Sequence, residues 1–306
     1  MASISQSLAG RTALLQLLPL SLEEIRRFPR PPRDLYDVLF RGGYPALHQR
    51  KLDPVGWGNA YVGTYVERDV RQLLNVGDLL AFQTFLRMCA TRSGQLLNLS
   101  GLGADCGLNH GTARAWLSVL ETSFLVHRLP VYAANLGKRL VKTPKLHFVD
   151  SGLLCFLLGI QTAGQLRRHP LRGTIFESWV VAEIMKAHTH RGLPPRLSYF
   201  RDRKGEEVDV VVEHPRGVTA IEVKSGETVA GEFLRPLERF AERAKAGSPP
   251  AVRRVDGVLV YAGRERQERS TARVVPWSEL DGEDWTRSAR GRTRRGRPSS
   301  TRPAPR

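Results

Sequence analysis

The chain has 306 residues, 41% hydrophobic and 25% charged, so it can bury a core and is not disordered as a whole. At this length roughly 75% of the unfolded surface can be buried, so neither disulfides nor a structural metal is needed to hold the fold together. The length favours two domains. Cys89, Cys106 and Cys155 form no CxxC pair, which indicates a reducing compartment and argues against a zinc site. Because no run of 18 apolar residues and no signal peptide is present, we expect a soluble, cytoplasmic protein without a membrane partner.

The net charge of +17 favours a polyanionic partner such as nucleic acid. The last twenty residues hold eight arginines and no acid, so subtracting 8 from 17 leaves about +9 for the other 286. From about Arg287 onward the chain has almost nothing apolar, and we expect this tail to be disordered. It is either a sequence-independent contact for phosphates or a solvated segment without a role.

The N-terminal part predicts strand, turn and helix. An apolar run ends at Pro19, and Ser21 is the expected N-cap of a helix with acids in its first turn. A Pro-rich segment at 28–34 interrupts the helical pattern, and RGGYP at 41–45 predicts a turn. Between Trp57 and Leu74, aromatic and apolar residues recur at helical spacing and predict another helix.

Residues 79–160 predict a winged helix-turn-helix. Helices are expected at 80–91 and 99–106, then a Gly-containing turn, and then a third helix capped by Asn109 that extends to about Glu121. The third helix has an apolar stripe, and its outward side chains are candidates for a DNA major groove: His110, Thr112, Arg114 and Ser118.

Two strands joined by a basic loop follow, at 124–132 and 145–150. The loop has the length of a wing, and its candidate phosphate contacts are Lys138, Arg139, Lys142 and Lys145. The alternative is that this segment only packs against its neighbours. DNA is the partner that the charge pattern favours.

Residues 173–262 change to an α/β pattern with a central sheet, so the chain is α+β overall. Alternation along EVDVVVE places Val208, Val210 and Val212 on one face and Asp209 on the other, and alternation along AIEVK places Glu222 beside Lys224. The intervening HPRGVT is a turn, so the strands should form an antiparallel hairpin centred at 215.5.

That register places Asp209 opposite Glu222, with Cβ atoms roughly 5 Å apart. A slip of one residue at Gly217 would separate them. Glu177 lies on the preceding helix, on a stripe expected to face the sheet. Three carboxylates suit Mg²⁺ or Mn²⁺, and Lys224 can steady a developing anion, so Asp209, Glu222, Lys224 and Glu177 are the candidate catalytic residues of a nuclease.

Each of these residues also has an ordinary interpretation. Glu177 can bond to backbone or to an arginine, Asp209 can be an acid at a strand edge, and Lys224 can be a strand end that reaches solvent. The HxH of His188 and His190 at a helix end is more typical of exposed histidines than of ligands. No GxxxxGK[ST] motif is present, so neither a P-loop nor ATP binding is expected.

An ordered series of motifs resembles the C-terminal uncharacterised domain of predicted prokaryotic AAA+ ATPases, over about residues 5–230. The segments that carry the resemblance are SLAGR, LLPLSLEEI, RGGYP, LRMCATRSGQLLN, TARAWLSVLETSFLV, KRLVKTPKLHFVDSGLL, GTIFESWVVAEI, FRDRKGEEVDVVVE and AIEVKSG. The resemblance implies a winged helix and a restriction-endonuclease-like domain of PD-(D/E)xK type. Asp209, Glu222 and Lys224 match that motif, and Glu177 stands at the position of its helix acid.

The family's ATPase motifs are absent, so the resemblance implies a remnant of the ATPase exit and lid at 1–78. The other expected units are the winged helix at 79–160, the nuclease-like domain at 161–286 and the tail at 287–306. We expect a DNA-associated protein with a metal-dependent nuclease-like domain. The alternatives are a non-catalytic DNA-binding or protein-interaction module, since nuclease-like folds do not establish cleavage, and a truncated ATPase fragment.

Overall fold

The computed structural model describes residues 16–65, 78–132, 143–215, 217–247 and 254–286. It confirms the α+β class: helices dominate the first half, and a mixed six-stranded sheet forms the second. The tail from Arg287 lies outside the described residues. No helix in the described part of the chain is long and apolar enough to cross a membrane.

Four short helices open the described chain: α1 (Leu22–Arg26), α2 (Leu35–Arg41), α3 (Pro45–Gln49) and α4 (Pro54–Thr64). The predicted cap of α1 is confirmed, because Ser21 Oγ accepts from Glu24 N at 3.3 Å and Glu24 accepts from Ser21 N at 2.8 Å. The RGGYP segment makes the turn between α2 and α3. The predicted continuation of α4 to Leu74 falls on 66–77, outside the described residues.

The next elements lie close to where the sequence predicts them. They are α5 (Leu79–Thr91), α6 (Leu99–Asp105), α7 (His110–Thr122), β1 (Val126–Leu129) and β2 (Lys145–Phe148). Asn109 caps α7 by accepting from Thr112 N at 2.8 Å. Gly107 has φ +67°, which the turn before α7 requires. β1 and β2 pair antiparallel, with Leu129 opposite Lys145.

Three helices then lead to the sheet: α8 (Ser151–Leu157), α9 (Ala163–Arg168) and α10 (Arg172–Thr189). Most of α10 is buried, because it packs both on the sheet and on the helical half. One continuous apolar core therefore runs from Leu22 to Trp285 and includes residues of all three folded units expected from the sequence.

The sheet contains β3 (Leu197–Arg201), β4 (Glu207–His214), β5 (Gly217–Lys224), β6 (Val255–Tyr261), β7 (Gln267–Glu268) and β8 (Ala272–Pro276). Its order is β3-β4-β5-β6-β8-β7. β3, β4 and β5 are antiparallel neighbours, whereas β6 is parallel to β5 and to β8. The crossover from β5 to β6 contains α11 (Arg235–Gly247).

Helices cover both faces of the sheet. Val210, Val212 and Ile221 belong to the core that includes α10, and Val211 and Ala220 belong to a second cluster with Phe240 of α11. Each face is therefore largely closed to solvent by its helix.

The expected alternation along β4 is wrong at Val208. Ser198 pairs with Val211, and Phe200 pairs with Val208. Between these two pairs β4 contains one residue more than β3, which is a β-bulge. Val208 consequently packs with Val211 on the α11 face instead of sharing the face of Val210. The extra residue falls at Asp209–Val210, and such a bulge re-aims the side chains beside it. The prediction that Asp209 faces away from Val210 is therefore wrong as well, because its carboxylate lies on the α10 side, 3.9 Å from the Lys145 ammonium that bonds to Glu177.

Candidate active site

Three elements bring the predicted acids together. Glu177 comes from the first half of α10, Asp209 from β4, and Glu222 and Lys224 from the end of β5. The pairing of Val210 with Ile221 confirms the register centred at 215.5. In the described residues the β4–β5 pairing begins at that pair, and the Asp209 carboxylate reaches β5 by accepting a hydrogen bond from the Val223 N–H.

Gly217 fixes that register at the turn. Its φ is +149°, and a side chain there would overlap the carbonyl oxygen of Arg254. Only glycine therefore suits this position, and the one-residue slip considered from the sequence does not occur.

Each strand carboxylate has one oxygen committed to a defined partner. Asp209 Oδ2 accepts from the backbone N–H of Val223 at 2.8 Å, which ties the bulge to β5. Glu222 Oε1 accepts from the Lys224 ammonium. Glu222 Oε2 is buried and has no hydrogen-bond partner among the residues that the structure describes. A buried carboxylate oxygen without a donor is costly, so this atom is available to a cation or a ligand donor.

Lys145 enters the same cluster from β2. Its Nζ donates to Glu177 Oε1 at 2.9 Å, forms an ion pair with Glu207 and lies 3.9 Å from Asp209 Oδ1. The residue is 3% exposed. The prediction that Lys145 is a phosphate contact in a wing is therefore contradicted, because its charge is directed into the protein and is shared by partly buried acids.

The acids raise one another's pKa. Burial and then repulsion by Asp209 raise the pKa of Glu222 to about 8, against the opposing pull of Lys224. Burial and Asp209 likewise raise the pKa of Glu177 to about 8, against Lys145. Burial also raises the pKa of Asp209. Perturbation of several neighbouring carboxyls is typical of functional sites.

The two lysines keep their charge. Burial lowers the pKa of Lys224, but Glu222 and Asp209 outweigh it and leave that pKa raised. For Lys145, burial also opposes the charge, and the attraction of Glu177, Asp209 and Glu207 again raises the pKa. Lys224 is the more accessible of the two, with a side chain 32% exposed.

The donor chemistry at the end of β5 fits a divalent cation. Carboxylate oxygens are what Mg²⁺ and Mn²⁺ prefer, and Glu222 Oε2 has no hydrogen-bond partner among the described residues. However, no group of three or more His, Cys, Asp or Glu in the described ranges is arranged to hold one ion. Glu177 bonds to Lys145 instead, so Asp209 and Glu222 are the pair best placed to receive an ion.

A buried polar network behind Glu177 was not predicted. His147 Nδ1 lies 3.1 Å from Ser178 Oγ, which lies 3.0 Å from Ser93 Oγ, and Ser93 Oγ accepts from Phe148 N at 3.1 Å. His147 Nε2 is 3.9 Å from Glu177 Oε1, and burial keeps the pKa of His147 well below its usual value, so this imidazole is neutral. The network holds α10 against β2 and fixes the helix turn that carries Glu177.

The sequence did contain a signal for these missed residues. Lys145 and His147 alternate with the apolar Leu146 and Phe148 on a strand buried along its whole length. A buried polar face on such a strand requires partners, and the acid and serine of α10 supply them.

The groove residues predicted on α7 have the expected orientation. His110, Arg114 and Ser118 are exposed and Thr112 is partly buried. The apolar stripe of Ala113, Trp116, Leu117 and Leu120 is buried, as predicted. Lys138, Arg139 and Lys142 lie outside the described residues.

Two segments of the chain are similar to domain families of unknown function. Residues 32–164 match the domain DUF8612, and residues 172–280 match the domain DUF4143, which contains all four candidate site residues.

The chain is also similar to two mycobacterial proteins, the uncharacterized protein Rv2008c of Mycobacterium tuberculosis and the uncharacterized protein Mb2031c of Mycobacterium bovis. It is 31% identical to each over 230 residues, which is 73% of this chain and 49% of theirs. The chain thus spans about half the length of these relatives.

Proposed function

We propose that this chain is a DNA-associated protein with a Mg²⁺- or Mn²⁺-dependent nuclease-like site of PD-(D/E)xK type. The observation that carries the proposal is the convergence of Asp209, Glu222 and Lys224 at the end of one hairpin, with Glu177 presented by the helix on the sheet face. The strand order β3-β4-β5-β6, with a crossover helix before the parallel β6, supports it.

The proposed chemistry assigns a separate role to each group. Asp209 and Glu222 would hold the divalent ion, which would supply a nucleophilic water and neutralise phosphodiester charge. Lys224 lies beside Glu222 with its ammonium partly exposed, so it is placed to bind a phosphate oxygen and to stabilise the developing negative charge. Asp209 also fixes the backbone of Val223 between these two residues.

We further propose that α7 and the hairpin after it form a winged helix that contacts DNA. The exposed His110, Arg114 and Ser118 and the basic surplus of the chain support this role. The match to DUF4143 and the resemblance to the C-terminal domains of AAA+ ATPases support an ATPase-associated context.

Lys145 favours a second candidate function, a non-catalytic DNA-binding or protein-interaction module. Its ammonium already supplies the positive charge that a metal would bring to Glu177 and Glu207. In that case the acids stabilise the fold, and the chain binds DNA without cutting it.

A plasmid-nicking assay separates the two functions. Supercoiled DNA is incubated with the full chain in Mg²⁺ or in EDTA, and Asp209→Asn and Glu222→Gln are compared with the wild type. Both variants are nearly isosteric, and the side-chain amide oxygen that Asp209→Asn introduces can still accept from Val223 N. We expect Mg²⁺-dependent nicking that each variant reduces by about 100-fold or more.

Glu213→Gln is the matched control, because Glu213 lies on the same strand as Asp209 but is exposed. It should nick at the wild-type rate. Equal nicking by all four proteins, or none by the wild type, would reject the catalytic proposal. Salt-dependent DNA binding without nicking would support the non-catalytic module.

A further inference from the structure

Lys145 is held in the acid cluster by backbone pairing on two sides. It is opposite Leu129 in the β1–β2 hairpin and forms a bridge with Leu96 on its other side. The ring of Tyr199 lies 5.6 Å from its Nζ. The backbone therefore aims this side chain at the acids, and the chain cannot easily withdraw it while β2 remains paired.

The charge balance around Lys145 resembles that around a bound cation. Its Nζ contacts Glu177 and Glu207 and lies 3.9 Å from Asp209 Oδ1, so one ammonium serves carboxylates from a helix and a strand. An uncompensated buried ammonium would be expensive, and so would three neighbouring, partly buried carboxylates without a cation. The Lys145 ammonium and the carboxylates around it therefore stabilise one another in the folded protein.

We infer that Lys145 is a positioning residue that occupies the Glu177 side of the acid cluster and thereby limits divalent-ion binding to the Asp209–Glu222 side. This rests on the proposed function only in treating these acids as one metal-binding site. The lysine competes with an ion for the cluster, and it holds Glu177 away from the ion as long as the contact at 2.9 Å persists.

Geometry makes the competition direct. An ion bound to Asp209 Oδ1 at about 2.1 Å would lie no farther than about 6 Å from the Lys145 ammonium. Two cations at that separation in a poorly solvated site repel each other strongly. Removal of the ammonium frees Glu177 and Glu207 and removes this repulsion, so the cluster should bind Mn²⁺ more tightly.

The test measures Mn²⁺ binding by electron paramagnetic resonance of the free ion, without DNA. Lys145→Met removes the charge while retaining much of the length, and Lys145→Gln also retains a hydrogen-bond donor for Glu177. We expect both variants to bind Mn²⁺ about tenfold or more tightly than the wild type. Lys145→Arg keeps the charge and should stay within about twofold of the wild type.

A second substitution locates the gained affinity. In the Lys145→Met background, Glu177→Gln should return Mn²⁺ binding towards the wild-type level, because Glu177 is one of the carboxylates that the substitution frees, whereas Glu213→Gln should leave it unchanged. If Lys145→Met and Lys145→Gln unfold in EDTA, Mn²⁺ should restore their circular-dichroism spectra, because ion binding to the folded state stabilises it. Failure to restore them would overturn the inference.

Unchanged or weaker Mn²⁺ binding by folded Lys145→Met and Lys145→Gln would also overturn it. That result is distinguishable from failure of the nuclease proposal. Tighter Mn²⁺ binding by these variants without nicking by any protein would keep the role of Lys145 and reject cleavage. Mg²⁺-dependent nicking by the wild type, with unaltered Mn²⁺ affinity in the Lys145 variants, would support cleavage and reject the role of Lys145.

Discussion

Glu222→Gln should stabilise the protein at alkaline pH in the absence of divalent ions. Glu222 is 4% exposed, and its pKa is raised to about 8 by burial and by Asp209 in spite of the Lys224 ammonium. Ionisation of this group therefore costs the folded state more than it costs the unfolded chain. Glutamine retains the shape and an acceptor for Lys224, but it cannot ionise.

The sign follows from proton linkage. Between the ordinary pKa of 4.5 and the folded value of about 8, the folded state binds more protons than the unfolded state, so stability falls as pH rises through that window. One pKa unit corresponds to about 1.36 kcal/mol, which sets a ceiling of about 5 kcal/mol for the full rise. Asp209 also repels Glu177, so the carboxyls of the cluster titrate together and the substitution of Glu222 alone recovers only part of that ceiling. We expect Glu222→Gln to raise the free energy of unfolding by about 2 kcal/mol at pH 8.5.

Urea unfolding in EDTA at pH 5 and pH 8.5 measures this effect by circular dichroism. The free energy of unfolding of Glu222→Gln should exceed that of the wild type at pH 8.5 and should be nearly equal to it at pH 5. Glu213→Gln, exposed on the neighbouring strand, should follow the wild type at both pH values. A Glu222→Gln protein that is less stable than the wild type at pH 8.5 would refute the reasoning, because it would show that the pair with Lys224 outweighs burial and repulsion.

Three further predictions concern the fold and the proposed DNA contact. Glu183 is buried and accepts hydrogen bonds from Lys186 Nζ and from Leu22 N, each at 2.8 Å. Glu183→Ala should therefore lower the free energy of unfolding, measured in urea, by about 3 to 5 kcal/mol. A loss under about 1 kcal/mol would contradict this prediction. Gly42 has φ +69°, and a Cβ added there would lie 2.5 Å from an Asp150 carboxylate oxygen. Gly42→Ala should therefore lower the free energy of unfolding in the same assay by about 3 kcal/mol. An unchanged urea midpoint would contradict the backbone conformation and close contact at Gly42. Arg114→Ala should weaken DNA binding in fluorescence anisotropy and reduce the slope of log K against log salt by about 1, and an unaltered slope would argue against a phosphate contact.

Local signals predicted much of the fold. The capping box at Ser21, the Asn109 cap and the positive-φ glycine at Gly107 act within a few residues, so the sequence reveals them directly. The hairpin register was also predictable, because a short turn fixes which residues face each other.

The bulge in β4 was not predictable in the same way. It arises where β4 pairs with β3, so it depends on the strand on the other side and not on the β4–β5 turn. Strict alternation therefore gives the correct β4–β5 register but the wrong face for Val208.

The candidate site itself was half predictable. Asp209, Glu222 and Lys224 lie on one hairpin, and their proximity follows from register. The contact of Lys145 with Glu177 joins residues 32 positions apart, on a strand and a helix whose packing no local pattern specifies. The sequence around Lys145 is typical of an exposed basic loop that ends at a strand, but tertiary packing places this lysine in the interior.

A Mn²⁺-soaked crystal structure of the full chain gives the most direct test of the acid cluster as a metal-binding nuclease-like site. We predict an anomalous difference peak about 2.2 Å from Asp209 Oδ1 and Glu222 Oε2, with the Lys145 ammonium still bonded to Glu177. A wild-type crystal without a peak between Asp209 and Glu222, together with a Lys145→Met crystal that also lacks one, would contradict the account.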